Sequence, residues 1–230
     1  MILLSGATAP PLLSNIAFIG AGQFPENSTS GSYTVGSYTV SSGLNRLLCL
    51  IMAGAVIGTA EPGLALTYAG AAMTLAASIT SLGGTDYGNR NLYLWYMLNP
   101  PAGAHDIVVS NATYTLMLAA DYTGVAQSGQ PNATGTNILG SGTTSITVSV
   151  SPTLARCWVV TGSINYLNSA PPGAVAPLVQ RVYGSLYGVP LICDSNGSVP
   201  VGASNFTTTP NSGNPGSQGQ TMIGVAFASA

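Results

Sequence analysis

The sequence predicts an all-β fold, and the leading architecture is an antiparallel β-sandwich with a jelly-roll-like topology. Short runs rich in Val, Ile, Thr, Tyr and Leu alternate with clusters of Gly, Pro, Asn and Ser along the chain. Some runs alternate between apolar and polar residues, as in 145–150, which is the pattern of a half-buried strand. No window has the periodicity of a convincing amphipathic helix, and many short strands at close spacing favour a sandwich.

The predicted strands follow one another at short intervals. In order they are 15–20, 32–40, 46–56, 64–68, 73–79, 92–98, 106–109, 113–122, 145–150, 155–166, 178–186, 189–193 and 222–228. The tandem Gly-Ser-Tyr-Thr-Val repeat in 31–40 predicts one long strand, or a hairpin hinged at Gly36. Segment 92–98 is apolar on both alternating faces, so we expect either a central strand covered on both sides or an outer face buried by a partner.

We expect a single β-sandwich domain over residues 1–230, with an N-terminal arm at about 1–14. The stretch at about 194–220 is rich in Gly, Ser, Thr, Asn and Pro, and we expect a long polar loop pinned against a neighbouring subunit. The longest apolar run, 47–58, is too short to span a membrane. The first residues lack a basic region, so no signal peptide is expected.

Charge is the most unusual property of this chain. It contains no lysine, and its 4 arginines face 6 acidic residues, so charged residues make up 4% of the sequence, against about 25% in ordinary soluble domains. A solitary soluble protein uses surface charge of both signs to stay dispersed. The composition therefore predicts a chain packed among copies of itself or other subunits. Four scattered arginines form no basic stripe, which argues against nucleic-acid binding.

The same scarcity removes most residues that catalysis uses, so we expect no enzyme and no cofactor. His105 and Asp106 are adjacent, and adjacent strand residues point to opposite faces, so they cannot form a dyad. The chain has one histidine and no Cys-x-x-Cys motif, which argues against a metal site. Cys49, Cys157 and Cys193 are expected to be buried small hydrophobes; the alternative is one intersheet disulfide plus a free thiol.

Four segments carry a resemblance to a known family. They are 66–74 (LTYAGAAMT), 92–104 (LYLWYMLNPPAGA), 122–127 (YTGVAQ) and the closing Gly-Val-Ala-Phe-Ala strand at 224–228. Their order resembles a β-sandwich domain of tailed-phage structural proteins and of some bacterial surface proteins. Ala126 stands where that family usually has Asp. The resemblance implies a virion component, such as a capsid decoration, fibre or tail protein.

The leading expectation is a capsid decoration or head-surface protein, made in the host cytoplasm and located on the virion. Its expected partners are copies of itself and other virion proteins such as the major capsid protein. The arginines are candidates for ion pairs with acids of neighbouring subunits, since the guanidinium fork suits carboxylates. The candidate subunit-interface residues are Arg46, Arg90, Arg156, Arg181, Asn205 and Asn214.

A glycan-binding fibre or tail module for host-surface attachment is the alternative. It requires an exposed aromatic platform on which a sugar ring stacks, with carboxylates nearby to bind the hydroxyl groups. The candidate residues are Tyr87, Tyr93, Trp95 and Tyr122, with Asp86 and Asp121. A weaker third possibility is a bacterial surface-layer or pilus-like subunit.

Overall fold

The computed structural model describes residues 15–54, 61–80, 91–140, 144–165, 173–184, 189–209 and 219–230, and these are entirely β and antiparallel, as predicted. The first half contains β1 (Ala17–Gln23), β2 (Gly31–Val40), β3 (Leu47–Ala53), β4 (Ala65–Tyr68), β5 (Ala71–Ala72), β6 (Thr74–Ile79), β7 (Leu92–Leu98), β8 (Gly103–Ala112) and β9 (Leu116–Thr123). The second half contains β10 (Ala133–Leu139), β11 (Ile146–Val150), β12 (Cys157–Asn165), β13 (Gly173–Ala174), β14 (Val179–Tyr183), β15 (Val189–Asp194), β16 (Ser204–Thr209) and β17 (Gln220–Ala228).

These strands form four sheets instead of the two that a single sandwich would have. In the first half an inner sheet has the order β1-β9-β3-β7-β6, and an outer sheet has the order β2-β8-β4-β5. In the second half the inner sheet is β10-β17-β12-β15-β14 and the outer sheet is β11-β16-β13. The predicted fold class, an all-β antiparallel sandwich, is confirmed, but the number of sheets could not be predicted, because hydrophobic patterns indicate strands and not which strands pair.

Three apolar cores hold the sheets together as layers. One lies between the outer and inner sheets of the first half, a second between the two inner sheets, and a third between the sheets of the second half. β3 shows why the inner sheets are apolar on both faces. Its residues Leu48 and Leu50 face the first core, whereas Cys49 and Ile51 face the central core, and all are fully buried. β7 is likewise covered on both faces, and both its covering sheets belong to this chain.

The two halves have the same topology. Replacing β1, β9, β3, β7 and β6 by β10, β17, β12, β15 and β14 converts one inner sheet into the other. Replacing β2, β8 and β4 by β11, β16 and β13 does the same for the outer sheets, in which only β5 lacks a counterpart among the described residues. The chain is therefore an internal duplication at the level of strand order.

Equivalent turns also share positive-φ backbone conformations, which residues other than glycine rarely adopt. Gly103 and Gly202, which follow β7 and β15, have φ of 101° and 97°. Asn45 and Arg156, which precede β3 and β12, have φ of 56° and 63°. A faint sequence echo accompanies the first pair, since Pro-x-Gly-Ala occurs at 101–104 and again at 200–203. Left-handed backbone at matching sites indicates that the turns, and not only the strands, are duplicated.

Each contact between the two inner sheets has a counterpart when every strand is replaced by its equivalent in the other half. β9 contacts β15 as β17 contacts β7, β3 contacts β15 as β12 contacts β7, and β1 contacts β14 as β10 contacts β6. The segments that follow β9 and β17 run antiparallel to each other and form a β-bridge between Val125 and Ser229. The Ala126 N–H donates to the Ala228 carbonyl at 2.9 Å, and the Ala230 N–H donates to the Gly124 carbonyl at 2.9 Å. This pattern is that of a pseudo-two-fold axis between the halves.

Several finer predictions are settled by the described residues. The repeat at 31–40 is one strand, with register shifts near Gly36 and not a hairpin. The polar stretch 194–220 is not a continuous loop, because β16 crosses it and pairs with β11. This strand was not predicted, because its Ser, Asn and Thr residues do not form the apolar run that marks a buried strand. The predicted arm at 1–14 lies outside the described residues.

Candidate functional site

The outer sheet of the first half presents a face of small, mostly uncharged side chains. Ser32, Thr34, Ser37 and Thr39 alternate along β2 and are all exposed. Across the sheet, Thr34 lies beside Val108, which in turn lies beside Thr67. Asp106 is the only charged member among the described residues of this face. Such a face can approach another protein without stripping water from charges.

The outer sheet of the second half repeats this character. Ser149 and Asn205 are exposed and lie opposite each other in β11 and β16. Thr147 and Thr207 are also cross-strand neighbours, and their Oγ1 atoms are 2.7 Å apart, within hydrogen-bond distance. Asn205, one of the predicted interface residues, is therefore placed on an outward face. A shallow groove of about 360 Å³ lies beside it, lined in part by Ser195 and Pro200.

Three of the five acidic residues in the described part of the chain are buried. Glu61, Asp121 and Asp194 are 5%, 2% and 0% exposed, whereas Glu26 and Asp106 are exposed. The surface formed by the described residues is consequently even poorer in charge than the composition implies. Burial of a carboxylate is costly unless donors or a cation satisfy it, and each of the three has such donors.

Two of the buried carboxylates accept hydrogen bonds from neutral donors, although the Oε2 atom of Glu61 has no partner. Asp121 accepts hydrogen bonds from the Tyr38 hydroxyl at 2.7 Å and the Ser41 N–H at 3.2 Å. Burial and this carboxylate together raise the pKa of Tyr38 far above its usual value. Glu61 accepts from the Thr113 hydroxyl at 2.7 Å and from the Thr113 N–H at 3.3 Å. These bonds tie loops to the first-half sandwich, which is a structural role.

Asp194 is paired with Arg181 across β14 and β15. The guanidinium donates two hydrogen bonds to the carboxylate, at 2.7 and 2.8 Å, and a third to the Asn196 side chain at 2.7 Å. Burial lowers the pKa of Arg181, but the bonds and charge of Asp194 outweigh it and the net shift is upward. The guanidinium also stacks on Phe18 of β1, 4.3 Å from the ring centre. Arg181 therefore joins the halves and has its ion-pair partner within the chain, and its role at a subunit interface stays a prediction.

Arg46 is also engaged within the chain. Its guanidinium donates to the Pro100 carbonyl at 2.8 Å, the Gly43 carbonyl at 2.5 Å and the Asn99 side chain at 2.9 Å. These bonds hold the turn before β3 to the turn after β7, and the role of Arg46 at a subunit interface stays a prediction. Arg156 is exposed and remains a candidate for an interface. Arg90 and Asn214 lie outside the described residues.

The predicted glycan platform does not reach the surface in the described part of the chain. Tyr93, Trp95 and Tyr122 are 5%, 6% and 1% exposed, and Asp121 is buried beside Tyr38. Tyr93 and Trp95 fill the first-half core, and Tyr122 lies in the central core. The prediction that these four residues form an exposed site is wrong, because a second sheet covers each face of the strands that carry them. Asp86 and Tyr87 lie outside the described residues.

The cysteines are buried and free, as expected, and no disulfide joins them. Burial raises the pKa of Cys49 strongly and that of Cys193 to about 12, so both remain neutral thiols. Among the described residues, no cluster of three or more His, Cys, Asp or Glu side chains could hold a metal ion. His105 packs edge-on against Tyr68 and its Nε2 lies 3.2 Å from the Ala102 carbonyl, which is a turn contact.

One end of the molecule is apolar and exposed. The three most exposed large hydrophobic side chains in the described part of the chain are Leu44 at 84%, Val201 at 59% and Leu154 at 51%. Leu44 and Leu154 precede the equivalent strands β3 and β12, and Val201 lies in the turn between β15 and β16. We call the turns 41–46, 99–103, 152–156 and 198–202 the turn end. Sequence reasoning missed this surface.

No helix in the described segments is long and apolar enough to cross a membrane. Comparison with known proteins found no matching family model, no matching curated protein and no matching solved structure. The resemblance to the phage β-sandwich family thus rests on its sequence motifs.

Proposed function

We propose that this chain is a structural subunit of a tailed-phage-like virion, and specifically a capsid decoration or head-surface protein. It packs on copies of itself and on other virion proteins such as the major capsid protein, and its role is mechanical. The observation that carries the proposal is the surface: two outer sheets of small, nearly uncharged side chains, with three acids buried inside. Close packing between such faces leaves no unpaired charge desolvated.

The strand order supports the same proposal. In the first half, β1-β9-β3-β7 faces β2-β8-β4-β5, and the chain alternates between these two sheets. Two facing four-stranded sheets in this order are the arrangement of a jelly roll, a fold common in viral capsid proteins and lectins. We assign this topology to the first half, and to the second half with one strand fewer. Fold alone does not determine function, so the surface carries the argument.

The glycan-binding alternative has lost its structural basis in the described residues. Three of its four aromatic side chains are interior, and its candidate carboxylate Asp121 is buried and already hydrogen-bonded to Tyr38. A lectin-like role therefore has no exposed aromatic platform behind it there.

The test is quantitative mass analysis of purified particles. We expect the chain to co-purify with the particle in a fixed, high ratio to the major capsid protein. Recovery only as free protein, in a lysate that also contains intact particles, would contradict the proposal. A low copy number would place the subunit in a tail or fibre instead of the head surface.

A matched pair of variants sharpens this test. Thr34→Lys places a charge on the outer face of β2, whereas Thr29→Lys places the same charge in the loop before that strand. We expect the first substitution to lower incorporation into particles by about tenfold, since an unpaired buried charge is costly. The second should be incorporated normally. Equal incorporation of both would remove the outer face from the assembly.

A further inference from the structure

The edge strands of the four sheets differ in how they are closed to further pairing. An edge strand has unpaired N–H and C=O groups to which another strand can add, and proteins block such edges with bulges, very short strands or covering segments. In the described part of the chain, β1, β2, β6 and β14 each have a register shift against their neighbour, which is typical of a bulge. β5 and β13 are two residues long. Among these edge strands, only β10 and β11 are longer and regular in register.

The edge of β11 is covered by β10. The Asn137 side chain of β10 donates a hydrogen bond to the Thr147 carbonyl of β11 at 2.6 Å. Gly135 lies so close to β11 that a Cβ added there would run into the Ser149 carbonyl oxygen. Thr147 and Ser149 are two residues apart, so both carbonyls point to the same edge of β11. Within the described residues, β10 is therefore the one edge strand that has neither a bulge nor a covering strand and is longer than two residues.

The backbone groups of β10 that point away from its sheet follow from the pairing with β17. The Asn132 N–H donates to the Ala226 carbonyl at 2.9 Å, so Ala226 of β17 directs its groups towards β10. Because this direction alternates along a strand, every second residue of β10, beginning with its first, bonds to β17. The N–H and C=O groups of Thr134, Thr136 and Ile138 therefore point outwards, and no backbone hydrogen bond among the described residues uses them.

The strands around this edge contain no charge. β11 lies over one face of β10 and β6 contacts the other, and none of these three strands has an acidic or basic residue. A charged side chain brought to this edge would lose water and find no counter-ion in these strands. Because a sheet flanks the edge on either face, a single extended segment fits it better than the surface of a folded domain. The edge therefore suits an extended, uncharged segment of polypeptide.

We propose that the outer edge of β10 is a strand-addition site, which takes an uncharged, extended segment of another virion protein. The added strand satisfies the outward groups of Thr134, Thr136 and Ile138, so its main chain supplies the affinity. The proposal deepens the proposed structural role and rests on it for the source of the segment. The equivalent edge strand of the first half, β1, has a register shift, so the site belongs to the second half.

The experiment measures the binding of a fluorescein-labelled peptide to the purified chain by fluorescence anisotropy. The peptide has the sequence of residues 220–226, because this sequence already pairs in register with β10 on its other edge. Thr136→Pro removes one outward N–H, and proline is tolerated at such a position of an edge strand. Thr136→Val is the matched control, since it keeps the N–H and the side-chain shape. We expect a dissociation constant about tenfold higher for Thr136→Pro than for Thr136→Val or the unchanged chain.

Hydrogen exchange on the unchanged chain shows where the peptide binds, whether or not Thr136→Pro folds. The amides of Thr134, Thr136 and Ile138 should gain protection when the peptide is added, whereas those of β1 should not. Circular dichroism and thermal unfolding of both variants identify misfolding. Failure of the unchanged chain to bind the peptide, protection elsewhere than β10, or equal binding by two folded variants would overturn the proposal.

Sedimentation velocity without the peptide separates this proposal from self-association. Dimers of the unchanged chain that Thr136→Pro abolishes and Thr136→Val retains would overturn it in favour of a second copy at this edge. Particle composition is measured separately. Absence of the chain from particles, with peptide binding at β10 intact, contradicts the virion role but not the strand-addition site.

Discussion

The two halves share one strand order but fill their cores differently. The buried side chains between the first-half sheets include Phe24, Tyr38, Tyr68, Tyr93 and Trp95. Between the second-half sheets the only aromatic side chain in the corresponding buried set is Phe206. The second half compensates by bringing β11 close to β10 and β17. The comparison shows that one topology can hold a core of large rings or a thin core between closely spaced sheets.

Glycine makes the thin core possible. A Cβ on Gly135 of β10 would run into the Ser149 carbonyl oxygen, and one on Gly224 would lie 2.6 Å from Val150 Cγ2. In the first half, a Cβ on Gly22 would lie 3.2 Å from the movable ring of Tyr38. The added Cβ at Gly135 would meet backbone atoms, which cannot move aside, whereas the Tyr38 ring beside Gly22 can shift slightly.

The halves also differ where they meet. Cys49 of β3 pairs with Tyr96, and Val160 at the equivalent position of β12 pairs with Asp194. The first half thus supplies a tyrosine, whose hydroxyl donates to the Gln130 carbonyl at 2.8 Å, and the second half supplies a carboxylate bound to Arg181. The central core is therefore nearly symmetric in backbone but asymmetric in charge.

The largest expected effect comes from breaking this asymmetric pair. Arg181→Ala leaves Asp194, which is 0% exposed, without its cation, and removing one partner of a buried pair costs about 3–5 kcal/mol. Urea unfolding should show this loss in the free energy of unfolding. Tyr96→Phe, at the position of the first half that is equivalent to Asp194, is the control and should cost about 1 kcal/mol. Equal losses would show that the charge asymmetry has no energetic weight.

The glycine comparison predicts the next effect. Gly135→Ala should lower the free energy of unfolding by about 1–3 kcal/mol, because the added methyl group overpacks two closely spaced sheets. Gly22→Ala should cost less than about 1 kcal/mol, since the Tyr38 ring can move. Differential scanning calorimetry on both variants gives the ranking. A reversal of the ranking would contradict the closer packing of the second half.

A buried hydrogen bond specific to the first half predicts a smaller loss. Tyr38→Phe removes the donor to Asp121 and should cost about 1–2 kcal/mol. Tyr33→Phe is the matched control, since Tyr33 is only half-buried and its hydroxyl bonds to the neutral Thr115 hydroxyl at 2.8 Å, so its removal should cost less. Chemical unfolding of both variants measures the difference, and no difference would mean that Asp121 is satisfied without Tyr38.

The smallest effect near neutral pH is an alkaline dependence of stability. A thiol in the unfolded chain has a pKa of about 8.5, whereas burial in the fold raises the pKa of Cys193 to about 12. Above about pH 8.5 the unfolded state loses this proton and the folded state keeps it, so stability falls as pH rises towards 12. Unfolding at stepped pH should show this slope, reduced in Cys193→Ala. An unchanged slope in that variant would assign the effect to the other buried thiols and tyrosines.

Much of the strand content could be predicted because burial imposes local patterns. Segment 92–98 is apolar on both faces, and β7 is covered by a sheet on each side. β16 could not be found in this way, since Phe206 is its only apolar residue and even its buried Thr208 is polar. The duplication left few identical residues because the two cores are packed with different side chains.

The candidate site could be predicted only in its general character. The missing lysines pointed correctly to a surface with little charge, and the burial of Glu61, Asp121 and Asp194 made it poorer still. The glycan-binding hypothesis placed Trp95 and Tyr122 at the surface, because aromatic side chains near carboxylates can form a sugar-binding platform. Because the sheets are stacked in four layers, both faces of the strands that carry these residues are buried, whereas two sheets would have left one face exposed.

The amino-acid sequence by itself determined an all-β chain of short strands, a neutral surface and buried free thiols, because these follow from composition and from local alternation of side chains. Only the tertiary structure decided that the chain forms two equivalent halves around a pseudo-two-fold axis, that Arg181 pairs internally with Asp194, and that Leu44 and Leu154 share one end. These features depend on pairings between strands far apart in sequence, which no local pattern encodes.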